Sequence, residues 1–272
     1  MSSIEFEDSA DFVQSLARGL SVLRAFNHGL PSATLSEVAQ RANLSRAVAR
    51  RSLLTLLHLG YVGQRGRLFY LTPRVLELGF GYLSSLDITE VAQHAMEQLS
   101  ATVDESCSMA VLDGHDIVYV VRVPVRRVMS VNLGVGARLP AFATSMGRVL
   151  LADLPQATFE HWLQGVQWQA FTTNTRCKPA SLRDEIARVR SQGHALNLQE
   201  LEPGLCSVAV PLRDANGRAV AAINVGMAWR EGIEERVHER ILPALRQTRD
   251  AIERALIQGG WQPHMHLRQN HD

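Results

Sequence analysis

The chain has 272 residues, 46% of them hydrophobic, with a net charge of +1, a pI near 7.9 and 3 cysteines. That allows one large or two ordinary domains with a full core and excludes a uniformly basic or acidic chain. Odd, scattered thiols (Cys107, Cys177, Cys206) argue against a disulfide framework, and the polar start MSSIEFEDSADF has no apolar signal region, so a soluble cytoplasmic protein without a membrane partner is expected.

Residues 1–11 read as a disordered acidic leader. Val13, Leu16, Leu20 and Leu23 recur at helical spacing and predict a first helix, ending near Phe26, that packs behind the next elements. Thr34-Leu35-Ser36-Glu37 fits a capping box and starts a short helix to about Ala42. Asn43 suits the left-handed residue of a tight turn, and Ser45 suits the cap of the following helix. On that second helix Ala49, Leu53, Leu56 and Leu57 form the stripe expected to be buried, and Arg46, Ala47, Arg50 and Arg51 take the opposite face. Tyr61–Gly63 and Arg67–Leu71 are expected to pair around Gln64-Arg65-Gly66, with Arg65 and Arg67 at the tip. Residues 12–72 therefore read as a winged helix-turn-helix.

Charge strengthens that reading. Between Glu37 and Glu77 there is no acidic residue, while Arg41, Arg46, Arg50, Arg51, Arg65, Arg67 and Arg74 all fall in the gap. A merely solvated surface mixes signs. A one-signed face on the second helix of such a pair suits the major groove, with the wing arginines on the phosphate backbone. Double-stranded DNA is the expected partner.

Thr72-Pro73 opens a helix over residues 73–86 that carries Val75, Leu76, Gly79, Phe80 and Leu83. It is expected to link domains, and its apolar side could face its own chain or a second copy. Residues 88–103 predict an amphipathic helix, after which the period changes to two. Ser108–Leu112 and Ile117–Val123 flank Asp113-Gly114-His115-Asp116 as a hairpin, and Val128–Leu133 reads as a third strand. Helices follow at Ser145–Asp153, Ala157–Gly165 and Ser181–Gln192, strands at Ser207–Leu212 and Val220–Met227, and a last helix at Ile233–Ile257. Residues 87–257 thus predict an antiparallel sheet with helices on one side, in an α+β chain, and 258–272 read as a flexible tail.

Chemistry is sparse. Gly134-Val135-Gly136 lacks the third glycine of a dinucleotide loop. His264, His266 and His271 have no fixed geometry for a metal, and the cysteines lack metal-ligand spacing. No nucleophile with a base can be assembled, so no catalytic residue, cofactor or metal is expected. Asp104 and Glu105 read as solvent-exposed, and Cys206 as a small packing residue. Three stretches stand out. In PAFATSMGR, Thr144 or Ser145 would cap a helix and leave N–H groups free for a carboxylate. NLQELEPGLCS reads as a polar loop able to line a ligand mouth or simply to cover the surface. Asn224 interrupts an apolar strand, which marks a pocket or an edge.

SLARGLSVLRAF, TLSEVAQRANLSRAVARRSLLTLLHLGYV and YLTPRVLELG, followed by VNLGVGARLPAFATSMGRVLLA, LQELEPGLCSVAVPL and AVAAINVG, resemble the IclR family of bacterial transcriptional regulators over residues 12–257. RAVARRSLLTLL, ATSMGRVLLA and QELE are similar to its subgroup controlling aromatic-acid breakdown through the β-ketoadipate pathway. The resemblance implies a winged helix-turn-helix, a linker helix and a GAF-like effector domain. It also implies homodimers or dimers of dimers on operator DNA, and a small aromatic or dicarboxylic acid as effector. It assigns DNA contact to Ser36, Ser45, Arg46, Ala47, Arg50, Arg51, Arg65 and Arg67. It assigns effector contact to the Ser145 and Met146 backbone, to the side chains of Asn197, Ser207 and Asn224, and to the apolar lining Val128, Val131, Leu139 and Leu205. Members that bind small oxoacids have Asp, Cys and Ser where this chain has Asn197, Ser207 and Asn224, a departure that favours an aromatic or longer acid. Another small-acid pathway, an enzyme using the same pocket, and a sensor that signals by protein contact alone are the competing readings.

Overall fold

A computed structural model describes residues 7, 9, 11–27, 30–84, 87–125 and 133–258, with the backbone alone at 81–84 and 87. It divides into two compact units, residues 1–84 and 85–272.

In the first unit, α1 (Gln14–Arg24) lies against the pair α2 (Leu35–Arg41) and α3 (Arg46–His58). The capping box forms: the Thr34 hydroxyl accepts from the Glu37 N–H, and the Glu37 carboxylate accepts from the Thr34 N–H at 2.7 Å. Those bonds hold the Glu37 carboxyl below the usual carboxylate range. Asn43 takes φ 52°, the left-handed turn, and the Ser45 hydroxyl accepts from Val48 N–H. Ala49, Leu53 and Leu56 are buried as the helical period predicts, and Leu57 is half-buried. The wing is β2 (Val62–Arg65) and β3 (Leu68–Leu71), turning through Gly66 and Arg67. The sequence gives no hint of a third strand, β1 (Ser32–Thr34), which pairs with β3 on its other side. At three residues it is too short for alternation to register.

The first helix corrects an expectation. Its buried side is Val22, Ala25 and Phe26, whereas Val13, Leu16 and Leu20 are 59%, 62% and 43% exposed. Leu16, Leu20 and Leu23 instead border an open groove of about 710 Å³ that also takes in Leu59, Tyr61 and Leu78. A one-turn 3₁₀ segment (Pro73–Val75) then leads into α4 (Leu76–Ser84), where Leu76, Leu78 and Phe80 are all exposed.

The second unit opens with α5 (Asp87–Val103). Strands β4 (Ser106–Asp113), β5 (Asp116–Val123), β6 (Arg138–Pro140), β7 (Ala195–Leu198), β8 (Leu205–Arg213) and β9 (Ala219–Ala228) form one antiparallel sheet in the order β6-β5-β4-β9-β8-β7. Of the expected strand at 128–133, residues 128–132 lie outside the described residues and Leu133 is not in a strand; β6 occupies the edge beside β5. Helices α6 (Ser145–Asp153), α7 (Gln156–Gln164) and α8 (Pro179–Gln192) cover one sheet face. The last helical run, α9 (Ile233–Arg236), a π-helical stretch (Val237–Ile241) and α10 (Leu242–Gln258), joins α5 on the other. Helices therefore stand on both faces, not one. Cys107, Met109, Val208, Val210, Ile223 and Val225 serve one core, and Ala110, Ala195, Ala209 and Ala222 serve the other. The alanines let α6 lie close to the sheet.

Candidate functional site

Two regions hold the predicted residues, one in each unit. On α3, Arg46, Ala47, Arg50 and Arg51 are exposed, as are Ser36, Ser45, Arg65 and Arg67. Arg74 pairs with Glu77, but among the described residues none of Arg46, Arg50, Arg51, Arg65 and Arg67 meets a carboxylate. Exposed guanidinium groups without carboxylate partners, carried on a helix and a hairpin tip, are suited to phosphates and base edges. Arg51 also borders the apolar groove, so it sits at one edge of that face.

The second region is a cavity where α6 begins, over the sheet. Residues facing α6 form cross-strand rows. One row runs Asn197, Ser207, Gly226, Ser106; the next runs Ala195, Ala209, Asn224, Ser108, Arg122. The polar members of these rows floor the cavity, with Tyr119, Met146 and Leu205 around them. Its free volume is about 40 Å³.

Thr144 caps α6 from extended backbone (φ −123°, ψ 148°), and its hydroxyl accepts from Gly147 N–H at 3.1 Å. The amides of Ser145 and Met146 precede the first intrahelical bond, which Arg148 makes to Thr144, and among the described residues neither has an acceptor. The Ser145 hydroxyl pairs with the Ser207 hydroxyl at 2.8 Å. Asn197 Nδ2 donates to the Ala143 carbonyl at 2.9 Å, and its Oδ1 accepts from Glu200 N–H at 3.4 Å. Asn197 thus stitches the cavity floor to both the approach to α6 and the loop after β7. Gly147 is needed here: a Cβ would stand 2.1 Å from the Ala141 carbonyl oxygen.

Of the predicted effector residues, Met146, Asn197, Leu205, Ser207 and Asn224 border the cavity, and Ser145 touches it through Ser207. Leu139 lies on β6, half-buried in the core beside α6, and is not in the lining. Val128 and Val131 fall outside the described residues, as do His264, His266 and His271. Asn224 sits on a central strand, so its polarity marks a pocket and not an edge. Its side chain is 8% exposed, yet Oδ1 has no hydrogen-bond partner. Asn197–Ser207 is only partly a loop: Asn197 and Leu198 finish β7, and Leu205 opens β8.

Sequence reasoning missed Ser106, Ser108, Tyr119 and Arg122. The Ser106 hydroxyl accepts from Val125 N–H at 3.0 Å, and Arg122 Nη1 donates to the Ser108 hydroxyl at 3.2 Å. Burial pushes the Tyr119 phenol up to about 12, with the Arg122 charge pulling weakly the other way, so it stays a neutral donor. Glu105 is buried as well, paired with Arg236 at 2.7 Å, and is not the exposed carboxylate its sequence context suggests. Burial raises the Cys107 and Cys206 thiols to about 12 and 11, so both behave as packing groups. Among the described residues no group of side chains could hold a metal ion, and no helix is long and apolar enough to cross a membrane.

Family models match both parts of the chain. Residues 15–66 match the IclR helix-turn-helix domain, and residues 80–254 match the bacterial transcriptional regulator IclR C-terminal domain. The chain is 42% identical to the Pca regulon regulatory protein of Pseudomonas putida, over 88% of this chain and 83% of the relative. It is 34% identical to the p-hydroxybenzoate hydroxylase transcriptional activator of Acinetobacter baylyi, over 89% and 91%. An IclR homolog from Microbacterium hydrocarbonoxydans, solved with 4-hydroxybenzoate, superposes with a TM-score of 0.77 at 27% identity, over 90% of this chain and 99% of that one. With a DNA-reading helix pair in one unit and a capped polar cavity in the other, the chain belongs to the IclR family of bacterial transcriptional regulators.

Proposed function

We propose that this regulator controls genes of aromatic-acid breakdown, with a small aromatic or dicarboxylic acid as effector in the cavity at the start of α6. The observation that carries the reading is the pair of unpaired amides, Ser145 and Met146, at the mouth of a helix and above a polar floor. Helix-start amides with the partial positive charge of the helix dipole are a carboxylate site. The names of the relatives point the same way: one is a Pca regulon regulator, one a p-hydroxybenzoate hydroxylase activator, and one was solved with 4-hydroxybenzoate.

The cavity's size suggests how binding becomes a signal. Sites for small molecules usually span roughly 300–1,000 Å³, against about 40 Å³ here. An aromatic acid needs more room than this, so lining side chains, Leu201, Leu205 and Met146 among them, would have to move. The ligand therefore favours a conformation of the α6 start and the adjoining loop other than this one, and that differential affinity is what an allosteric effector requires.

In the DNA-binding unit, Arg46, Ala47, Arg50 and Arg51 would read the major groove and Arg65 and Arg67 hold the backbone. Homodimerisation is supported by the apolar groove beside α1 and by Leu76, Leu78 and Phe80, which stand exposed on α4. Calorimetric titration of the full chain with 4-hydroxybenzoate, protocatechuate, β-ketoadipate and muconate tests the effector class. Saturable binding of one of them, with a change in operator retention, is expected. Heat-silent titrations with all four would remove the effector assignment.

A further inference from the structure

The lining of the cavity contains a cation that the helix-start reading leaves unused. Arg122 is half-buried in the cavity lining, and among the described residues no carboxylate pairs with it. Its 3.2 Å bond to the Ser108 hydroxyl uses one of five guanidinium donors. Directly across Ser108 on the other side stands Asn224, whose buried amide oxygen has no partner. A buried amide oxygen without a partner is costly unless something polar completes it, and the half-buried guanidinium near it has donors to spare.

The register explains how Arg122 arrives there. Tyr119 and Arg122 are three residues apart, and in a regular strand they would point to opposite faces. A β-bulge in the pairing of β4 with β5, between Met109 and Ala110, sets Tyr119 opposite Ala110 and Arg122 opposite Ser108. Ala110 and Ser108 are two residues apart on β4, so both partners face the cavity. Bulges commonly re-aim a side chain beside a functional site.

Position then separates two ends of the cavity. The guanidinium sits over β4 at Ser108, and the Ser145–Ser207 pair sits over β8. β9 lies between them, so the two ends are two inter-strand steps apart, about 10 Å. One carboxylate cannot bridge that distance, whereas an acid with polar groups at both ends can.

We propose that Arg122, with Ser108 and Asn224, reads the far end of the effector and selects acids that carry a second oxygen function opposite the carboxylate held at α6. This rests on the cavity being the acid-effector site.

The test is calorimetry on the full chain with three probes: benzoate, 4-hydroxybenzoate and benzene-1,4-dicarboxylate. The unaltered protein is expected to prefer a two-ended probe over benzoate by roughly tenfold or more, the worth of one charge-assisted hydrogen bond. Arg122→Gln is expected to bring that ratio close to one by weakening the two-ended probes far more than benzoate, and its circular dichroism spectrum shows that the variant is folded. Asn224→Asp sets a negative charge beside the guanidinium and is expected to weaken benzene-1,4-dicarboxylate more than benzoate. A ratio unchanged in Arg122→Gln overturns the proposal and leaves the effector site standing. Equal loss of all three probes also overturns it, since Arg122 then acts on the common carboxylate or on the fold. Failure of the unaltered chain to bind any probe removes the effector site and this proposal with it.

Discussion

Arg148 and Glu200, 52 residues apart in sequence, meet as a bidentate ion pair with both side chains buried: Nη1 and Nη2 lie 2.7 and 2.6 Å from the two carboxylate oxygens. Arg148 Nε donates to the Phe142 carbonyl at 3.0 Å, and Arg176 reaches Glu200 with both its side chain and its backbone N–H. The pair therefore ties α6 to the loop after β7, two segments that border the polar cavity.

Breaking this pair from one side leaves a buried charge without its partner, which costs about 3–5 kcal/mol. Arg148→Met is expected to lower the urea midpoint of the C-terminal unit by a corresponding amount. A change within experimental error would show that water or Arg176 satisfies Glu200 without it.

Acid should act at the same place. Burial alone would raise the Glu200 carboxyl, but the Arg148 hydrogen bonds and charge, joined by Arg176, prevail and hold it below its ordinary 4.5. A carboxylate depressed in the folded state contributes its full stability above the unfolded value and loses it as pH falls through the folded one. Thermal melts from pH 7 downward should therefore show stability falling below about pH 4.5, with a shallower fall in Glu200→Gln. Parallel curves for the two proteins would assign the acid sensitivity elsewhere.

Gly147→Ala drives a methyl group into the Ala141 carbonyl, so the α6 start must shift or unwind. Overpacking of this kind costs about 1–3 kcal/mol or more. Effector binding is expected to be lost, and operator binding by the first unit retained. Intact effector affinity in this variant would move the carboxylate site away from the helix start.

Arg50→Ala removes one exposed charge from α3. It is expected to weaken operator binding and to reduce the salt slope by about 1 if Arg50 meets a phosphate, or to relax the sequence preference if it meets a base. Effector affinity should not change. Equal losses at both sites in a folded variant would contradict a two-site switch.

Leu78→Glu places a charge on the apolar groove of the DNA-binding unit. Analytical ultracentrifugation should show a shift toward smaller species, together with weaker retention of a palindromic operator. A sedimentation profile identical to the unaltered chain would leave the groove without a role in self-association.

Where local chemistry decides an element, the sequence is legible. Thr34, Glu37, Asn43 and Ser45 each make a bond or turn within a few residues, and the helix-turn-helix follows from them. The hairpin at Gly114 and the turn before Gly217 are readable for the same reason, since both glycines take the left-handed backbone. Periodicity alone was less secure. Leu16 and Leu20 share a helical stripe, yet they border a groove, because spacing identifies an apolar face without saying what covers it. β1 and β7 are three and four residues long and exist through their partners. Arg122 was hidden most deeply. Its orientation depends on a bulge, and a bulge is a property of the pairing of two strands.

The alanine floor beneath α6 has a dynamic consequence. Ala110, Ala195, Ala209 and Ala222 have no side-chain rotamers, so the sheet under the body of α6 gives the helix a surface that cannot repack. A ligand in the cavity would draw its space from lining side chains that do have rotamers, among them Arg122 and Asn224 on the sheet, Met146 on α6 and Leu201 and Leu205 at the loop. Arg148 and Glu200 join α6 to that loop, which couples a displacement of one to the other. On the proposed reading, binding in the cavity would therefore act on α6 and the loop together, while the sheet under the helix stays in place.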